Sequence, residues 1–477
     1  MSKTIKTILI QEAVENLCLQ ANLYLSKDVY SAFYKAYVKE TNSKAKNVLL
    51  QILTNAKLAA EFGKPLCQDT GIVVVFLEIG QDVVLTGEYV EDSINQAVLN
   101  CYKQNYFRKS IVNCPYSERK NTKTNTPAII HTKIVYGDNI KISVAIKGGG
   151  SENMSALKML NPTDEEDRII DFVVKTVKNA GIKSCPPVRI GIGIGGSFEQ
   201  SAILSKKALL EKIKTPEALQ NLSDDNSKLE YKILQSLNRL NIGPMATGGE
   251  FTCYGVNILS RPCHIASMPV AVNINCHSSR HACCVISENK ITYNDKDFEY
   301  NFEEISDVNL NIKELKLDDI SAMRSLKKGD EVYITGTLYT ARDVAHKKLV
   351  EMIKNKEKLP FDIKNKTIFY AGPCPAKPGE IIGSIGPTTS SRMDKFSPVL
   401  YDNGVIATIG KGERNEDVVN AIKKNKALYF SITGGVAVLL SQKIKKAEII
   451  AFPELESEAI YKLEVEKLPV VVEIDTE

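Results

Sequence analysis

Apolar positions recur at helical spacing near the start of the chain. The segment IQEAVENLCLQANLYL has apolar residues at intervals of three and four, which predicts an amphipathic helix. A second helix is predicted to start at Ser26. A third is predicted from about Ser43 to Phe62, because Gly63 can end it in a left-handed conformation. We therefore expect residues 3–62 to be helical.

The next pattern is a strand, a glycine-rich turn and a helix. It occurs in IKISVAIKGGG followed by SENMSALKML, where a helix is expected to open at Ser151, and again in VRIGIGIGG followed by FEQSAILSKKALLEKI. The runs IVVVFLEIG and IIHTKIVYG are also predicted to be strands. These patterns together predict a helix-rich first domain that contains a mixed sheet.

The polar pattern changes between about Glu288 and Asp318, where the chain is acidic and poor in glycine. Beyond it, the strand-like runs KKGDEVYITG, NKTIFYAGP, GVIATIGKG and ALYFSITGG alternate with helical segments, which predicts a smaller α/β unit. The predicted fold class is α/β. We expect a first domain at 1–288, a linker at 289–318 and a second domain at 319–477.

Charge and hydropathy argue against two classes of binding partner, nucleic acids and membranes. The 477 residues include 61 Lys and Arg against 57 Asp and Glu, with no long block of one sign, which argues against a nucleic-acid partner. The longest charge-free apolar stretch, Ala427 to Leu440, is too short to span a membrane. Acidic residues interrupt the amino-terminal segment before a signal-peptide core can form. We therefore expect a cytoplasmic protein that binds no membrane.

Cysteine usage excludes several kinds of site. With 11 cysteines and no secretion signal, a disulfide framework is a poor interpretation. The absence of any C-x-x-C pair argues against zinc fingers, thioredoxin-like sites and ferredoxin-type cluster runs. A metal or cluster bound by cysteines from distant segments remains open. Among the candidates, Cys185, Cys263, Cys276 and Cys374 lie directly beside Pro or His, and Cys67 lies two residues after Pro65.

The glycines Gly191, Gly193 and Gly196 match the G-x-G-x-x-G pattern of dinucleotide sites. Such a site needs a strand with an acidic end after the helix, whereas KTPEALQNLSDDNSKLEYKILQSL predicts more helix. We prefer another use, in which the glycines bring backbone amides close to an anionic or metal-bound ligand at a helix N-terminus. The run KGGGSEN fits that use equally well.

The stretch RPCHIASMPVAVNINCHSSRHACC holds three of the five histidines of the chain. A zinc site is conceivable, but neighbouring Cys and His residues cannot easily reach one tetrahedral metal, and the spacing fits no common zinc pattern. A cluster ligand with histidines as proton-transfer groups explains the stretch better. Cys283 and Cys284 are interpreted as packing residues. In LCQDTG, Cys67 and Asp69 are either a thiolate ligand with an acid/base group or a small apolar residue with a turn aspartate.

The second predicted domain has cations and hydroxyls at strand ends. TARDVAH contributes Arg342, Asp343 and His346, GPTTSSRMD contributes Thr388, Thr389 and Arg392, and IGKGER contributes Lys411. Separately, each could be a helix cap or a surface charge. Together they suit the binding of two carboxylates, because arginine is scarce in this chain and offers planar, bidentate donors.

The motifs PLCQDTG, KGGGSENMS, CPPVRIGIGIGG, PCHIASMPVAVNINCH, TARDVAH, GPTTSSRMD and IGKG together resemble the class I (iron–sulfur) fumarase and tartrate dehydratase family. They occur in that family's order over nearly the whole chain. The resemblance implies a homodimer, an α-type domain fused to a swivelling β/β/α-like domain, and reversible hydration of fumarate to (S)-malate, a reaction of the tricarboxylic acid cycle. Dehydration of tartrate and hydration of mesaconate are the alternatives. A non-catalytic iron sensor is disfavoured by the acid/base groups.

The resemblance also implies a [4Fe–4S] cluster held by Cys67, Cys185 and Cys276, with the fourth iron open to a dicarboxylate substrate. Cys263 is then not a ligand. Asp69, supported by His264, would move the water or hydroxyl proton, and Thr388, made more acidic by nearby cations, would handle the carbon-bound proton. The role of Cys374 stays open. The implied substrate-binding residues are Gln68, Arg108, Gly149, Arg342, Arg392 and Lys411.

Overall fold

The computed structural model describes residues 3–294, 300 and 312–477. The chain divides into two compact units, Met1–Ser306 and Asp307–Glu477. The predicted linker at 289–318 lies largely outside the described residues. Its two described ends contain strands that pair within the sheets of their own units.

The first unit contains both strands and helices. Its described strands are β1 (Lys3–Lys6), β2 (Ile72–Gly80), β3 (Val83–Thr86), β4 (Ile129–Val135), β5 (Ile140–Lys147), β6 (Ala156–Leu160), β7 (Val188–Gly195), β8 (Cys253–Arg261), β9 (Met268–Asn275), β10 (Arg280–Ser287) and β11 (Lys290–Tyr293). Its described helices are α1 (Thr7–Leu23), α2 (Lys27–Lys39), α3 (Ser43–Phe62), α4 (Val90–Gln104), α5 (Gly149–Glu152), α6 (Glu166–Ala180), α7 (Phe198–Ala208), α8 (Pro216–Gln220) and α9 (Asp225–Asn238).

The predicted helical opening segment is largely confirmed, and α3 shows why its ends could be read locally. The side chain of Asn42 accepts hydrogen bonds from the backbone N–H groups of Lys44 and Ala45, which satisfies donors that the first turn leaves open. The helix ends at Gly63, whose φ of 57° is left-handed. Both signals lie within a few residues of the helix itself.

Two mixed sheets form the centre of the first unit. One has the strand order β11-β10-β5-β2-β4 and the other has the order β6-β9-β7-β8. The pairs β2–β4 and β7–β8 are parallel, and the other pairs are antiparallel. Helices α1 and α4 cover the five-stranded sheet through a core that includes Leu17, Val98 and Val75. Helices α6 and α9 cover the four-stranded sheet through Val173 and Ile233.

The expected helix at Ser151 is wrong. Only the single turn α5 is helical there, and the apolar run that follows it is strand β6. Strand β6 pairs antiparallel with β9, with Ala156 opposite Val272 and Leu160 opposite Met268. A short apolar run does not distinguish a strand from a buried helix by periodicity alone, so the free edge of β9 decided the conformation.

The glycines of GIGIGG have a packing role. Alternate residues of a strand face opposite sides, so Ile190 and Ile192 enter the core beneath α6 and α9 while Gly191 and Gly193 face α7. A Cβ on Gly191 would lie 2.1 Å from a backbone oxygen of α7, and one on Gly193 would lie 2.0 Å from the oxygen of Ser201. These two glycines therefore let α7 lie directly on β7. The interpretation of their amides as ligand-binding groups is wrong, because β7 pairs with β8 on one side and with β9 on the other at both positions.

Gly193→Ala is therefore expected to destabilise the first unit by about 3 kcal/mol, at the upper end of ordinary overpacking costs. The Cβ would meet helix backbone, which cannot move aside independently of α7. Urea unfolding followed by circular dichroism measures the change. Gly255→Ala in β8 is the matched control, because its nearest atoms belong to the flexible side chain of Ile213, at 3.3 Å. Equal unfolding midpoints for the two variants would contradict the packing role.

The second unit is an α/β structure, as the alternating pattern predicted. Its described strands are β12 (Lys313–Lys316), β13 (Glu331–Thr340), β14 (Thr367–Phe369), β15 (Ala407–Gly410), β16 (Leu428–Ser431), β17 (Ile444–Ala451) and β18 (Ile460–Ile474). Its described helices are α10 (Ile320–Ser325), α11 (Asp343–Lys354), α12 (Ser397–Asp402), α13 (Glu416–Lys424) and α14 (Ala437–Ser441).

Strands β13, β14, β15 and β16 run parallel to one another, and β18 closes the arrangement. Strand β18 is antiparallel to β16 near Val472 and antiparallel to β13 near Val470, so these five strands form a closed ring of pairings. Side chains from the helices and strands, including Leu349, Ile422 and Ile368, share one core. The α/β fold class is thus confirmed. Within the described part of the chain, no helix is both long and apolar enough to cross a membrane.

Candidate active site

Three segments that are distant in sequence meet at one end of the five-stranded sheet. Strand β2 begins just after the LCQDTG loop, and its first residue, Ile72, pairs with Lys147 at the end of β5. Strand β10 begins with Arg280, opposite Ile146 of β5. Antiparallel pairing therefore places the LCQDTG loop, the KGGGSEN turn and the start of β10 side by side.

Asp69 is held by donors from these neighbouring segments. Its carboxylate accepts hydrogen bonds from the backbone N–H of Gly149 at 2.9 Å and of Gly71 at 3.2 Å. The guanidinium of Arg108 lies 3.1 Å from the carboxylate, and the hydroxyl of Thr70 donates to the backbone carbonyl of Arg108 at 2.7 Å. The structure thus brings together three of the predicted residues, namely Asp69, Arg108 and Gly149.

The surroundings keep Asp69 ionised. Burial raises the pKa of Asp69, but the positive charges of Arg108 and Arg280 and the hydrogen bonds from Gly149 and Gly71 outweigh burial and lower the pKa to about 2. At neutral pH the group is therefore an ionised carboxylate. Its orientation is set by donors on two sides.

Arg280 is the residue of this site to which the sequence analysis assigned no role. Its side chain is 2% exposed, and its Nε has no hydrogen-bond partner among the described residues. A Cβ on Gly148 would lie 3.4 Å from Nη2 of Arg280 and 3.3 Å from Oδ2 of Asp69, so Gly148 leaves room for both groups. The available signal was an arginine within the Cys/His-rich stretch of a chain that otherwise prefers lysine.

His264 lies on an exposed turn between β8 and β9. Its Nδ1 accepts a hydrogen bond from the backbone N–H of Ala266 at 3.1 Å. The contacts of Asp69 described above are with arginine and backbone donors, and His264 is not among them. Gln68 is buried beside Cys67, whose thiol donates to the Gln68 side-chain oxygen at 3.4 Å.

The four-stranded sheet brings two of the cysteines together. Cys185 lies just before β7 and Cys276 just after β9, and the antiparallel register pairs Arg189 with Asn275. The backbone N–H of His277 donates to the carbonyl of Cys185 at 3.3 Å. The chain then crosses from β9 to β10 of the other sheet, which carries Cys276 toward the LCQDTG loop. The thiols of Cys67 and Cys276 are close enough to interact electrostatically.

The cysteines and the cations beside them are residue types that an iron–sulfur cluster would need. Within the described residues, no group of three or more His, Cys, Asp or Glu side chains is arranged to hold one metal ion. A cluster has a different requirement, because each cysteine binds a different iron. Burial raises the pKa of Cys67 to about 12, although Arg280 opposes the rise. Arg280 near Cys67 and Lys147 near Cys276 supply the positive charge that buried thiolates need.

In the second unit, the predicted residues gather where parallel strands end. Arg342 follows β13 and Lys411 follows β15, and the carboxyl ends of parallel strands meet at one edge of a sheet. The backbone N–H of Thr388 donates to the carbonyl of Tyr370, which follows β14, at 2.6 Å. The N–H of Ser390 donates to the carbonyl of Lys411 at 2.8 Å. Thr388 and Lys411 therefore lie on adjoining segments.

The two arginines of this edge share an acidic partner. Arg392 binds both oxygens of Asp343, with Nε at 2.8 Å and Nη2 at 2.6 Å. Arg342 lies 3.8 Å from Asp343 and 3.5 Å from Glu458. The Arg342 side chain is 10% exposed and that of Arg392 is 50% exposed. A Cβ on Gly372 would lie 2.8 Å from Nη1 of Arg342, so this glycine makes room for the guanidinium. The pairing of these arginines with Asp343 and Glu458 was not predicted from the sequence.

Behind this edge, His346 makes the second unit sensitive to acid. Burial lowers the pKa of His346 to about 4, and the positive charge of Arg414 acts in the same direction. The carbonyl of Arg342 and the charge of Asp343 oppose this shift. As the pH falls, His346 is therefore protonated in the unfolded chain before it is protonated in the folded protein. The contribution of neutral His346 to stability is fully present above a pH of about 6.5 and is lost as the pH falls toward 4. Between pH 7.5 and pH 5 we expect a loss of about 2 kcal/mol.

The measurement is urea unfolding of the protein and of His346→Gln at both pH values. The variant lacks the titrating imidazole but keeps a polar side chain in the same cavity, so other groups lose stability equally in both proteins. Between the two pH values, we expect the free energy of unfolding to fall by about 2 kcal/mol more in the unsubstituted protein than in His346→Gln. Parallel pH profiles for the two proteins would show that His346 does not carry this dependence.

Two protein-family models match consecutive parts of the chain. The family model described as fumarate hydratase (fumerase) matches residues 11–285, and the model described as fumarase C-terminus matches residues 285–477. The anaerobic class I fumarate hydratase of Escherichia coli K12 is 30% identical over 98% of this chain and 88% of that protein. The aerobic class I enzyme of the same strain is 31% identical over 91% of this chain and 82% of that protein.

A third relative covers the first unit. The putative L(+)-tartrate dehydratase subunit alpha of Methanocaldococcus jannaschii is 39% identical over 57% of this chain and 96% of that protein. The two family models together span residues 11–477, and the Escherichia coli relatives extend through both units. The chain therefore belongs to the class I fumarate hydratase family and is a hydro-lyase.

Proposed function

We propose that this protein catalyses the reversible hydration of fumarate to (S)-malate, using a [4Fe–4S] cluster held by Cys67, Cys185 and Cys276. The observation that carries the proposal is the ionised carboxylate of Asp69, held beside Arg108 at the sheet end where Cys67 and Cys276 approach each other. When bound, the cluster would supply an open iron as the Lewis acid for making and breaking the C–O bond.

Asp69 is proposed to accept the proton of water during hydration and to return it during dehydration. Arg108 and the backbone N–H groups of Gly71 and Gly149 support this role, because they fix the direction of the carboxylate. His264 is proposed to pass the proton between Asp69 and solvent, which its exposed position permits. Gln68 and Arg108 are proposed to bind substrate in the first unit.

In the second unit, Thr388 is proposed to move the carbon-bound proton. Its backbone is fixed by the carbonyl of Tyr370. Lys411 on the adjoining segment and Arg392 in the same loop are proposed to favour the ionised hydroxyl. Arg342 and Arg392 are proposed to bind the substrate carboxylates, since planar guanidinium groups suit bidentate contact with carboxylates. Alignment of the substrate by these groups would itself contribute to the rate.

Tartrate is the second candidate substrate. The relative described as a putative tartrate dehydratase subunit matches 57% of this chain, which favours this alternative over others. Mesaconate is a third. These acids differ from malate or fumarate by one hydroxyl or one methyl group, while the residues proposed above bind the shared carboxylates.

The testing experiment starts with protein purified without oxygen. Iron content and visible absorbance report the cluster, and turnover is compared on fumarate, tartrate and mesaconate in the same sample. We expect an iron–sulfur spectrum and a kcat/KM for fumarate well above the other two values. If the protein contains a cluster but turns over tartrate faster than fumarate, the substrate assignment changes to tartrate. A colourless, iron-free protein would overturn the cofactor assignment. A homodimer and a cytoplasmic location are part of the proposal and are supported by the family and by cysteine usage.

A further inference from the structure

The side chain of Arg414 is completely buried, although it follows the IGKG motif in a loop. Its Nε donates to Oδ1 of Asp394 at 2.7 Å, and its Nη2 donates to the hydroxyl of Ser397 at 2.7 Å. Its Nη1 donates to the hydroxyls of Tyr370 at 3.3 Å and of Thr408 at 3.4 Å. Every nitrogen of the guanidinium therefore has a partner, which a buried charge requires.

Three tyrosines surround this group, and we call Tyr370, Tyr401 and Tyr429 the tyrosine box. The guanidinium carbon lies 5.2 Å from the ring centre of Tyr370 and 5.0 Å from that of Tyr429, which are cation–π distances. The hydroxyl of Tyr401 is 2.6 Å from that of Thr408. Although burial opposes it, the tyrosines and Asp394 raise the pKa of Arg414, so the residue stays charged.

The ion pair joins two loops of the site. Asp394 closes the segment 388–394, and its other oxygen accepts the backbone N–H of Asn415 at 2.9 Å. Arg414 and Asn415 belong to the loop that begins with Lys411. One carboxylate thus ties the segment that carries Thr388 to the loop that carries Lys411.

Tyr429 supplies a second tie between the same loops. Its hydroxyl contacts the hydroxyl of Ser390 at 2.9 Å and donates to the carbonyl of Gly412 at 2.7 Å. The two segments are closely packed here, because a Cβ on Gly410 would lie 2.0 Å from the Ser390 hydroxyl. Tyr370 adds a third tie, since its ring contacts Arg414 while its carbonyl accepts the N–H of Thr388.

We propose that Arg414, acting through Asp394 and the tyrosine box, is a positioning residue that fixes Thr388 and Lys411 for the reaction. The inference rests on the proposed function and adds a residue that does not itself touch substrate. An apolar side chain of similar volume could fill a core at comparable stability, since buried ion pairs are costly to desolvate. A buried arginine whose donors reach both loops instead specifies their relative placement.

The test compares Arg414→Met, Arg414→Lys and Tyr429→Phe with the unsubstituted protein. A displacement of about 1 Å can lower a rate by about 10²-fold, so we expect Arg414→Met to lower kcat on fumarate by about that factor. Arg414→Lys should recover part of the loss, and Tyr429→Phe should lower kcat about tenfold with little change in KM. Lys424→Met is the control, because Lys424 makes an exposed ion pair with Asp402 and should keep the original kcat.

Amide hydrogen exchange provides a readout that does not need turnover. The N–H of Ser390 donates to the carbonyl of Lys411, so loosening of the two loops should speed its exchange in Tyr429→Phe. If the unsubstituted protein hydrates no dicarboxylate, the proposed function fails, and unchanged exchange would then overturn the inference separately. If fumarate is hydrated, unchanged kcat in folded Tyr429→Phe and Arg414→Lys overturns the inference alone. If Arg414→Met does not fold, Arg414→Lys and Tyr429→Phe still test the inference.

Discussion

Replacing Cys276 with serine is expected to abolish fumarate hydration and to remove most of the iron from protein purified without oxygen. Cys276 directly follows β9, the backbone N–H of the next residue donates to the carbonyl of Cys185, and the charge of Cys276 raises the pKa of Cys67, so we propose Cys276 as a cluster ligand. A serine hydroxyl is a much poorer ligand for iron in such clusters. Iron per chain and fumarate turnover, measured on the same preparation, test the expectation.

Cys263→Ser is the matched control for that result. Cys263 is exposed on a separate turn, and its thiol donates to the carbonyl of Ser267 at 3.1 Å. We expect this variant to keep its iron and its activity, and we expect Cys67→Ser and Cys185→Ser to behave like Cys276→Ser. Full iron content and turnover in Cys276→Ser, or loss of both in Cys263→Ser, would show that the assigned ligands are wrong.

Thr388→Ala is expected to lower kcat on fumarate by about 10²- to 10⁴-fold, the usual contribution of general acid–base catalysis. The buried hydroxyl would be removed while the backbone of the loop stays fixed by the carbonyl of Tyr370. The value of KM should change little, because the proposed carboxylate-binding groups remain. Steady-state kinetics in both directions, with exchange of the carbon-bound proton of malate in deuterated water, measure the effect.

Ser391→Ala provides the comparison for Thr388→Ala, since Ser391 lies in the same loop with an exposed side chain. It should leave both kinetics and proton exchange unchanged. Thr388→Ser should retain part of the activity because it keeps a hydroxyl at the same position. Intact turnover in Thr388→Ala would remove Thr388 as the proton-transfer group while leaving the cysteine assignment standing.

Features with local causes could be predicted from sequence. The bounds of α3 follow from Asn42 and Gly63, which act within one turn of the helix ends. The alternation of strands and helices after residue 326 required only periodicity, and the structure has β13 to β16 with α11 and α13 between them. Site candidates such as Asp69 and Arg342 could also be selected, because each lies in a polar loop next to a buried strand.

Features with distant causes could not be predicted in the same way. The segment after Ser151 became strand β6 because β9, more than a hundred residues later, offers it a free edge. Gly191 and Gly193 match a ligand-binding pattern, but the backbone of α7 explains them. The role of Arg280 depends on a strand register that places it beside the LCQDTG loop.

The sequence by itself determined the α/β class, the family and the set of residues proposed to carry chemical function, because capping signals, periodicity and ordered motifs are contained in short segments. Only the tertiary structure decided which of those residues meet. It joined Asp69 to Arg108 and Gly149 through the pairing of β2 with β5, and it set Arg414 among three tyrosines. The physical reason is that hydrogen-bond partners and burial depend on contacts between segments far apart in the chain, which no local pattern specifies.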